Sequence, residues 1–120
     1  MLYNLYTNYL KGNTSTKKDY QEAFKFFKNS AEGGYPSGIM MLGYCYDTGI
    51  GINIDKQKAV ELYQKAANLG HKLAQYNLGG SYEVGDGIEK NIDKAIYWYE
   101  QSANQGDKDA QKILRRLKNS

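Results

Sequence analysis

Apolar and small residues recur along this chain at helical spacing, in two stretches for each repeating unit. In one copy the first stretch surrounds Leu42, Gly43 and Tyr46, and the second runs through residues 59–67 with apolar positions at i, i+3 and i+4. The glycines within residues 49–51 separate the stretches, and glycine readily takes the positive φ that ends a helix. The pattern predicts a helical hairpin.

This hairpin pattern repeats with a period of 36 residues and needs no gap. The identities that recur in the next copy are Leu42, Gly43, Tyr46, Gly49, Gly51, Lys58, Ala59, Tyr63, Ala67, Asn68, Gly70, Lys72, Ala74 and Gln75. Counting back one period gives a weaker first copy, which keeps the side-chain sizes at Tyr6, Leu10, Ala23 and Phe27 but not every identity. A fixed period of this length predicts a repeat architecture. Small residues recur where neighbouring helices approach each other, and we interpret them as packing positions.

Capping residues mark the predicted start of each second helix. They are Asp55 or Asn53 in the middle copy, Asn91 in the third copy, and Asp19 with Glu22 as a capping box in the first.

These residues resemble the Sel1-like repeat, a relative of the tetratricopeptide repeat. The match rests on Leu-Gly-x-x-Tyr, then Gly-x-Gly-Ile, then Lys-Ala-x-x-x-Tyr-x-x-x-Ala-Asn-x-Gly, in full copies at 37–70 and 73–106. The resemblance implies an all-α, right-handed superhelical solenoid of antiparallel helix pairs with about seven helices. Because members of the family are mostly adaptors and scaffolds, it also implies a non-catalytic protein that binds a partner segment.

We predict a single solenoid domain over residues 1–120. It consists of a degenerate first repeat at 1–34, the two full repeats, and a C-terminal capping helix at 108–118 that covers the end of the last repeat. The N-terminal segment carries apolar residues on more than one side. The alternative hypothesis is therefore a structural or self-associating fragment of a larger multi-repeat protein, joined through this apolar end.

Composition narrows the class of partner. Hydrophobic residues make up 41% and charged residues 24%, as in soluble globular proteins. Sixteen Lys and Arg are diluted by thirteen Asp and Glu, so the net charge of +3 does not favour nucleic acid. The apolar runs are too short for membrane insertion and no signal peptide is visible. A cytoplasmic location is compatible with these features, but the compartment stays unknown.

The sequence offers little for catalysis. Cys45 is the single cysteine, which excludes an intrachain disulfide and a multi-cysteine metal cage. Cys45 and His71 are the one available nucleophile and base, but we interpret Cys45 as a small buried hydrophobe and His71 as an exposed turn residue. We therefore expect no catalytic, cofactor-binding or metal-binding residue. A third alternative is a hydrolase of small substrates, an activity suggested for some relatives. Those relatives resemble secreted, disulfide-rich chains, and the lone cysteine argues against that branch.

Positions that differ between copies are where partner specificity can reside. If the first helices line a concave surface, as in the tetratricopeptide relatives, the partner-binding residues are Asn4, Asn8, Lys11, Met40, Tyr44, Asp47, Leu73, Tyr76, Glu83, Lys112 and Arg116. We predict Met40, Tyr44 and Tyr76 as the anchors for an extended or helical peptide. Asp47 and Glu83 hold equivalent places in neighbouring repeats, and we interpret them as a solvated acidic edge. The alternative is that the whole face is an ordinary half-polar surface.

Overall fold

A computed structural model describes residues 17–119 of the chain, which form six α-helices. They are α1 (Lys17–Glu32), α2 (Pro36–Thr48), α3 (Lys56–Asn68), α4 (Lys72–Val84), α5 (Ile92–Asn104) and α6 (Lys108–Lys118). Between residues 17 and 119 there is no strand, which confirms the all-α prediction. The predicted first helix of the first copy lies outside the described residues.

Successive helices pack on each other in chain order, from α1 against α2 to α5 against α6. The molecule measures 45 × 25 × 23 Å along its principal axes, as expected when helix hairpins stack in one direction. Across the part of the chain that is described, no helix is long and apolar enough to cross a membrane.

Side-chain caps begin the second helices as the sequence predicts in two of three copies. Asp55 accepts a hydrogen bond from the backbone N–H of Lys58 at 3.1 Å, and Asn91 accepts one from Lys94 at 3.0 Å. The capping box predicted at Asp19 is wrong, because α1 already includes the two residues before it. Asp19 lies instead in the first turn of α1, where a negative charge is favourable beside the helix dipole.

Within each of the two full repeats a tyrosine of the second helix lies against a glycine of the first. Tyr63 is 1% exposed and Tyr99 is 2% exposed. A Cβ added to Gly43 would lie 3.0 Å from the ring of Tyr63, and one added to Gly79 would lie 2.8 Å from the ring of Tyr99. The recurring small residues at these two positions are therefore packing positions, as predicted.

The glycine-rich loops connect the two helices of a repeat and also contact the preceding repeat. Gly51 and Gly87 have φ of +71° and +76°, which only glycine adopts readily. A Cβ on Gly51 would collide with the carbonyl oxygen of Tyr20, and one on Gly87 would collide with that of Lys56. Each loop thus closes on the first turns of the second helix in the preceding repeat.

Gly79→Ala should destabilise the protein. The new methyl group would lie 2.8 Å from Cδ1 of Tyr99, and the buried ring has little room to retreat. We expect the free energy of unfolding to fall by about 1–3 kcal/mol, as for other overpacked sites. The midpoint of urea unfolding measures the effect.

Gly80→Ala is the matched control, one residue further along α4. The nearest atom to its methyl group would be the Tyr99 hydroxyl at 3.6 Å, which is an ordinary contact. Because alanine is the better helix former, this variant should gain about 0.5–1 kcal/mol. Equal effects of the two substitutions would contradict the packing role of Gly79.

The cap of α4 is a histidine. His71 Nδ1 accepts a hydrogen bond from the N–H of Ala74 at 3.2 Å, and Nε2 lies 3.2 Å from the hydroxyl of Ser37. The prediction of an exposed His71 is wrong, since these contacts leave it only partly accessible. Burial lowers the pKa of His71, and an accepting Nδ1 also requires the neutral imidazole.

Acidification should therefore weaken the fold through His71. Because its pKa is lower in the folded chain, the unfolded chain binds more protons as pH falls below the ordinary value of about 6.5. This stabilisation is present at neutral pH and is lost on acidification. The loss is at most about 1 kcal/mol, the typical contribution of a helix cap. Urea unfolding at about pH 7.5 and about pH 5.5 brackets this titration.

The control variant is His71→Asp, which copies the residue one period later. Asp107 caps α6 by accepting from the N–H of Ala110 at 3.1 Å. His71 is the single histidine of the chain, so the variant should lose most of the pH dependence across this window. An undiminished dependence in His71→Asp would assign it to other groups.

Candidate protein-binding surface

The predicted partner-binding residues divide between three helices and an undescribed segment. Asn4, Asn8 and Lys11 lie outside the described residues. Met40, Tyr44 and Asp47 lie on α2, Leu73, Tyr76 and Glu83 on α4, and Lys112 and Arg116 on α6.

Met40 is wrong as a surface anchor. Its side chain is 4% exposed and belongs to the main hydrophobic core. The helix α2 packs against both α1 and α3, and the amide of Asn77 on α4 lies 3.8 Å from the Met40 sulfur. Because α2 has neighbours on three sides, it buries apolar residues in addition to those that recur between repeats.

A cleft of about 240 Å³ opens between the C-terminal half of α4 and the end of α2. We call it the α2–α4 cleft. Its lining residues are Asp47, Tyr76, Asn77, Gly80, Ser81, Val84, Asp86 and Tyr99. Of the predicted residues that are described, the cleft brings together two, Asp47 and Tyr76. The ring of Tyr76 lies 5.7 Å from that of Tyr99, at an interplanar angle of 57°.

Gly80 is the cleft residue that sequence reasoning missed most plainly. One period earlier its position holds Tyr44, and one period later it holds Arg116, both of them among the predicted residues. Because glycine has no side chain, the series of side chains at this repeat position is interrupted at Gly80. The space left open forms part of the cleft. The signal was available in the 36-residue register. Asn77, Ser81 and Val84 were also missed, although their spacing of three and four residues places them on one face of α4.

Asp47 and Glu83 are not a solvated acidic edge. Asp47 accepts from the Tyr63 hydroxyl at 3.0 Å and from Lys56 Nζ at 2.6 Å. Glu83 accepts from the Tyr99 hydroxyl at 2.8 Å and from Arg116 at 2.7 Å. In each repeat the carboxylate therefore links the buried tyrosine to a surface cation.

These contacts shift the ionisation of the groups involved. Burial raises the pKa of Tyr63 and of Tyr99, and the neighbouring carboxylates raise both further. Burial alone would also raise the pKa of Glu83, but hydrogen bonds from Arg116 and Tyr99 outweigh it and hold the pKa below its usual value. Both tyrosines are therefore neutral hydrogen-bond donors at physiological pH.

The other predicted residues that the structure describes do not line the cleft. Tyr44 is half-buried and packs against both hydrophobic clusters. Leu73 is 40% exposed, and Lys112 is exposed as well. Arg116 is held by Glu83.

Cys45 and His71, the candidate nucleophile and base, have separate structural roles. Cys45 is fully buried, as predicted, and burial raises the pKa of its thiol to about 12. His71 is engaged in capping α4. Among the described residues, no group of three or more His, Cys, Asp and Glu side chains is placed to hold a metal ion.

Comparison with known families identifies the repeat. The model of the family described as "Sel1 repeat" matches residues 7–35, 36–71 and 72–107. The matches cover most of the chain, which therefore belongs to the Sel1 repeat family. Proteins of this family are generally non-enzymatic repeat scaffolds, and binding of other proteins is their typical role.

Solved structures agree with this assignment. The Sel1 repeat protein from Oxalobacter formigenes is 37% identical, with a TM-score of 0.77 over 96% of this chain and 86% of that one. The protective antigen c5321 of uropathogenic Escherichia coli, described as having an SLR fold, is 36% identical, with a TM-score of 0.77 over 88% of this chain. This chain spans only 22% of that antigen.

A third structure, the cysteine rich protein B of Helicobacter pylori, is 30% identical, with a TM-score of 0.74 over 78% of this chain and 71% of that one. A comparison with curated proteins gives no match. The helices of this chain thus form the α-solenoid that the sequence predicts.

Glu83→Gln should destabilise the protein at neutral pH. The variant keeps the shape of the side chain but loses the charge that binds Tyr99 and Arg116, so we expect a loss of about 1–2 kcal/mol in the free energy of unfolding. Since the pKa of Glu83 is lower in the folded chain, this stabilisation is present above the ordinary value of about 4.3 and disappears as pH falls below it.

Glu89→Gln provides the control, because Glu89 is an exposed carboxylate in the α4–α5 loop. Urea unfolding at neutral and acidic pH should separate the two variants at neutral pH and bring them together in acid. A Glu83→Gln protein as stable as Glu89→Gln at neutral pH would show that the tyrosine–carboxylate link does not contribute.

Proposed function

We propose that this chain is a non-catalytic scaffold that holds a segment of a partner protein in the α2–α4 cleft. The observation that carries the proposal is that most of the cleft is built from residues that do not recur between repeats. One period earlier than Tyr76, Asn77 and Gly80 stand Met40, Met41 and Tyr44. Core residues such as Ala59, Tyr63 and Leu78 belong to the recurring set, so the cleft is a feature of one particular joint in the array.

The chemistry of the cleft suits a peptide. Val84 is 69% exposed at its edge, and Tyr76 provides an aromatic wall. Asn77 and Ser81 add an amide and a hydroxyl on the same face of α4, which can bond to the main chain of an extended segment. Such a mixture of apolar anchors and a few polar groups is typical of protein interfaces.

The exposed residues around the cleft extend this surface. Leu73 lies one turn before Asn77 on α4, and Lys112 lies on α6 beyond the last repeat. We propose that they contact flanking parts of the partner segment, together with Tyr44 and the Glu83–Arg116 pair. Met40 has no part in this surface, because it is buried.

Gly80→Leu tests the proposal by filling the cleft. A Cβ at Gly80 meets only the Tyr99 hydroxyl, at 3.6 Å, so the first carbon of the leucine side chain fits without a close contact. We expect partner affinity to fall by about tenfold or more, because the side chain occupies the space of the ligand. Capture from the native extract, quantified by mass spectrometry, identifies the partner, and titration of the purified partner measures the affinity.

Lys28→Leu is the control, since it adds the same side chain at an exposed position of α1, a helix that contributes nothing to the lining of the cleft. Circular dichroism and urea unfolding should show both variants folded. A partner retained by Lys28→Leu and lost by Gly80→Leu supports the cleft, whereas equal retention by both would contradict it.

A further inference from the structure

The α2–α4 cleft carries an excess of negative charge. Asp47 and Asp86 line it, and Tyr76 on its wall also lies in the field of Asp107, Asp109 and Glu83. Burial and then these carboxylates raise the pKa of the Tyr76 hydroxyl. An aromatic wall of the cleft therefore faces a negative environment.

Cations of the chain neutralise only part of this charge. Lys56 is shared between Asp47 at 2.6 Å and Asp86 at 3.5 Å. Arg116 binds Glu83 at 2.7 Å, and Lys90 acts on Glu83 from a greater distance. The two carboxylates that line the cleft thus share one lysine, whereas the whole chain carries a net charge of +3.

Asp86 is the carboxylate best placed to bind a further cation. Its long contact with Lys56 leaves the side chain 45% exposed, while Asp47 is 29% exposed and accepts two shorter bonds. Asp86 also lines the same cleft as the ring of Tyr76. The cleft therefore offers a cation two kinds of attractive group, a carboxylate and an aromatic ring.

Room for such a group exists because Gly80 has no side chain. At the equivalent position of the next unit the chain itself places Arg116, which reaches the carboxylate of Glu83. In this unit Lys56 binds the equivalent carboxylate, Asp47, from another helix, so the space beside Gly80 stays open.

We propose that the α2–α4 cleft takes an arginine or lysine side chain from the partner segment, held by Asp86 and the ring of Tyr76. This inference rests on the proposed function, since it names the residue by which the partner is recognised. Arginine binds more tightly than lysine here, because a planar guanidinium stacks on an aromatic ring and pairs with a carboxylate at the same time.

A displayed library of random peptides tests the proposal. The library is selected on the wild-type protein and, in parallel, on Gly80→Leu. We expect peptides that bind the wild type but not Gly80→Leu, and we expect them to share an arginine or lysine at one position. Replacing that residue by glutamine in a synthetic peptide should weaken binding by about tenfold, as expected for loss of a charge-assisted contact.

Asp86→Asn and Glu32→Gln then compare two neutral replacements with the same change in net charge. Glu32 is exposed at the end of α1, away from the cleft. The basic peptide should bind Asp86→Asn about fivefold or more weakly, its affinity for the wild type should fall with added salt, and Glu32→Gln should bind normally.

The outcomes separate the two proposals. If no peptide distinguishes the wild type from Gly80→Leu, the proposed function fails and this inference fails with it. If such peptides appear but show no basic position, or bind Asp86→Asn as well as Glu32→Gln, the cleft binds peptides and the basic recognition alone is wrong.

Discussion

The packing of a buried tyrosine against a helical glycine is the contact on which the rest of this structure depends. Tyr99 lies against Gly79, and its hydroxyl reaches Glu83 one turn further along the same helix. Tyr63, Gly43 and Asp47 repeat the arrangement one period earlier. A ring that packs on the glycine and is bonded at its hydroxyl sets the distance between the two helices of a hairpin. One face of the first helix therefore packs against the second helix of the hairpin, and another face is available to a ligand.

That division explains why the sequence predicts the core better than the surface. The period of 36 residues identifies the recurring glycines, alanines and tyrosines, and the structure places them where helices meet. The two caps at Asp55 and Asn91 follow from local chemistry and are equally readable. These features are fixed by short-range geometry or by the repeat itself, so a single sequence contains the information needed to find them.

The remaining site residues depend on contacts between repeats, which a period alone does not give. Met40 does not recur, and by that rule it belongs on the surface, yet α4 and the two neighbours of α2 enclose it. Asp47 and Glu83 do recur in character, but their buried partners lie sixteen residues away on another helix. The prediction for His71 rests on its place after a glycine, whereas its contact with Ser37 reaches the first helix of the preceding repeat. The 36-residue register identifies the position of Gly80. The space left by its missing side chain becomes evident only when the neighbouring residues are placed.

The loop that closes on Lys56 gives the cleft a mechanical property. Gly87 packs against the backbone of Lys56. The ammonium group of Lys56 binds both Asp47 of one repeat and Asp86 of the next. The two carboxylates of the cleft therefore belong to different hairpins, and one lysine spans the joint between them. Widening the cleft and bending the solenoid at this joint are the same motion. A ligand bound between the hairpins would therefore oppose that bending and stiffen the array at this joint.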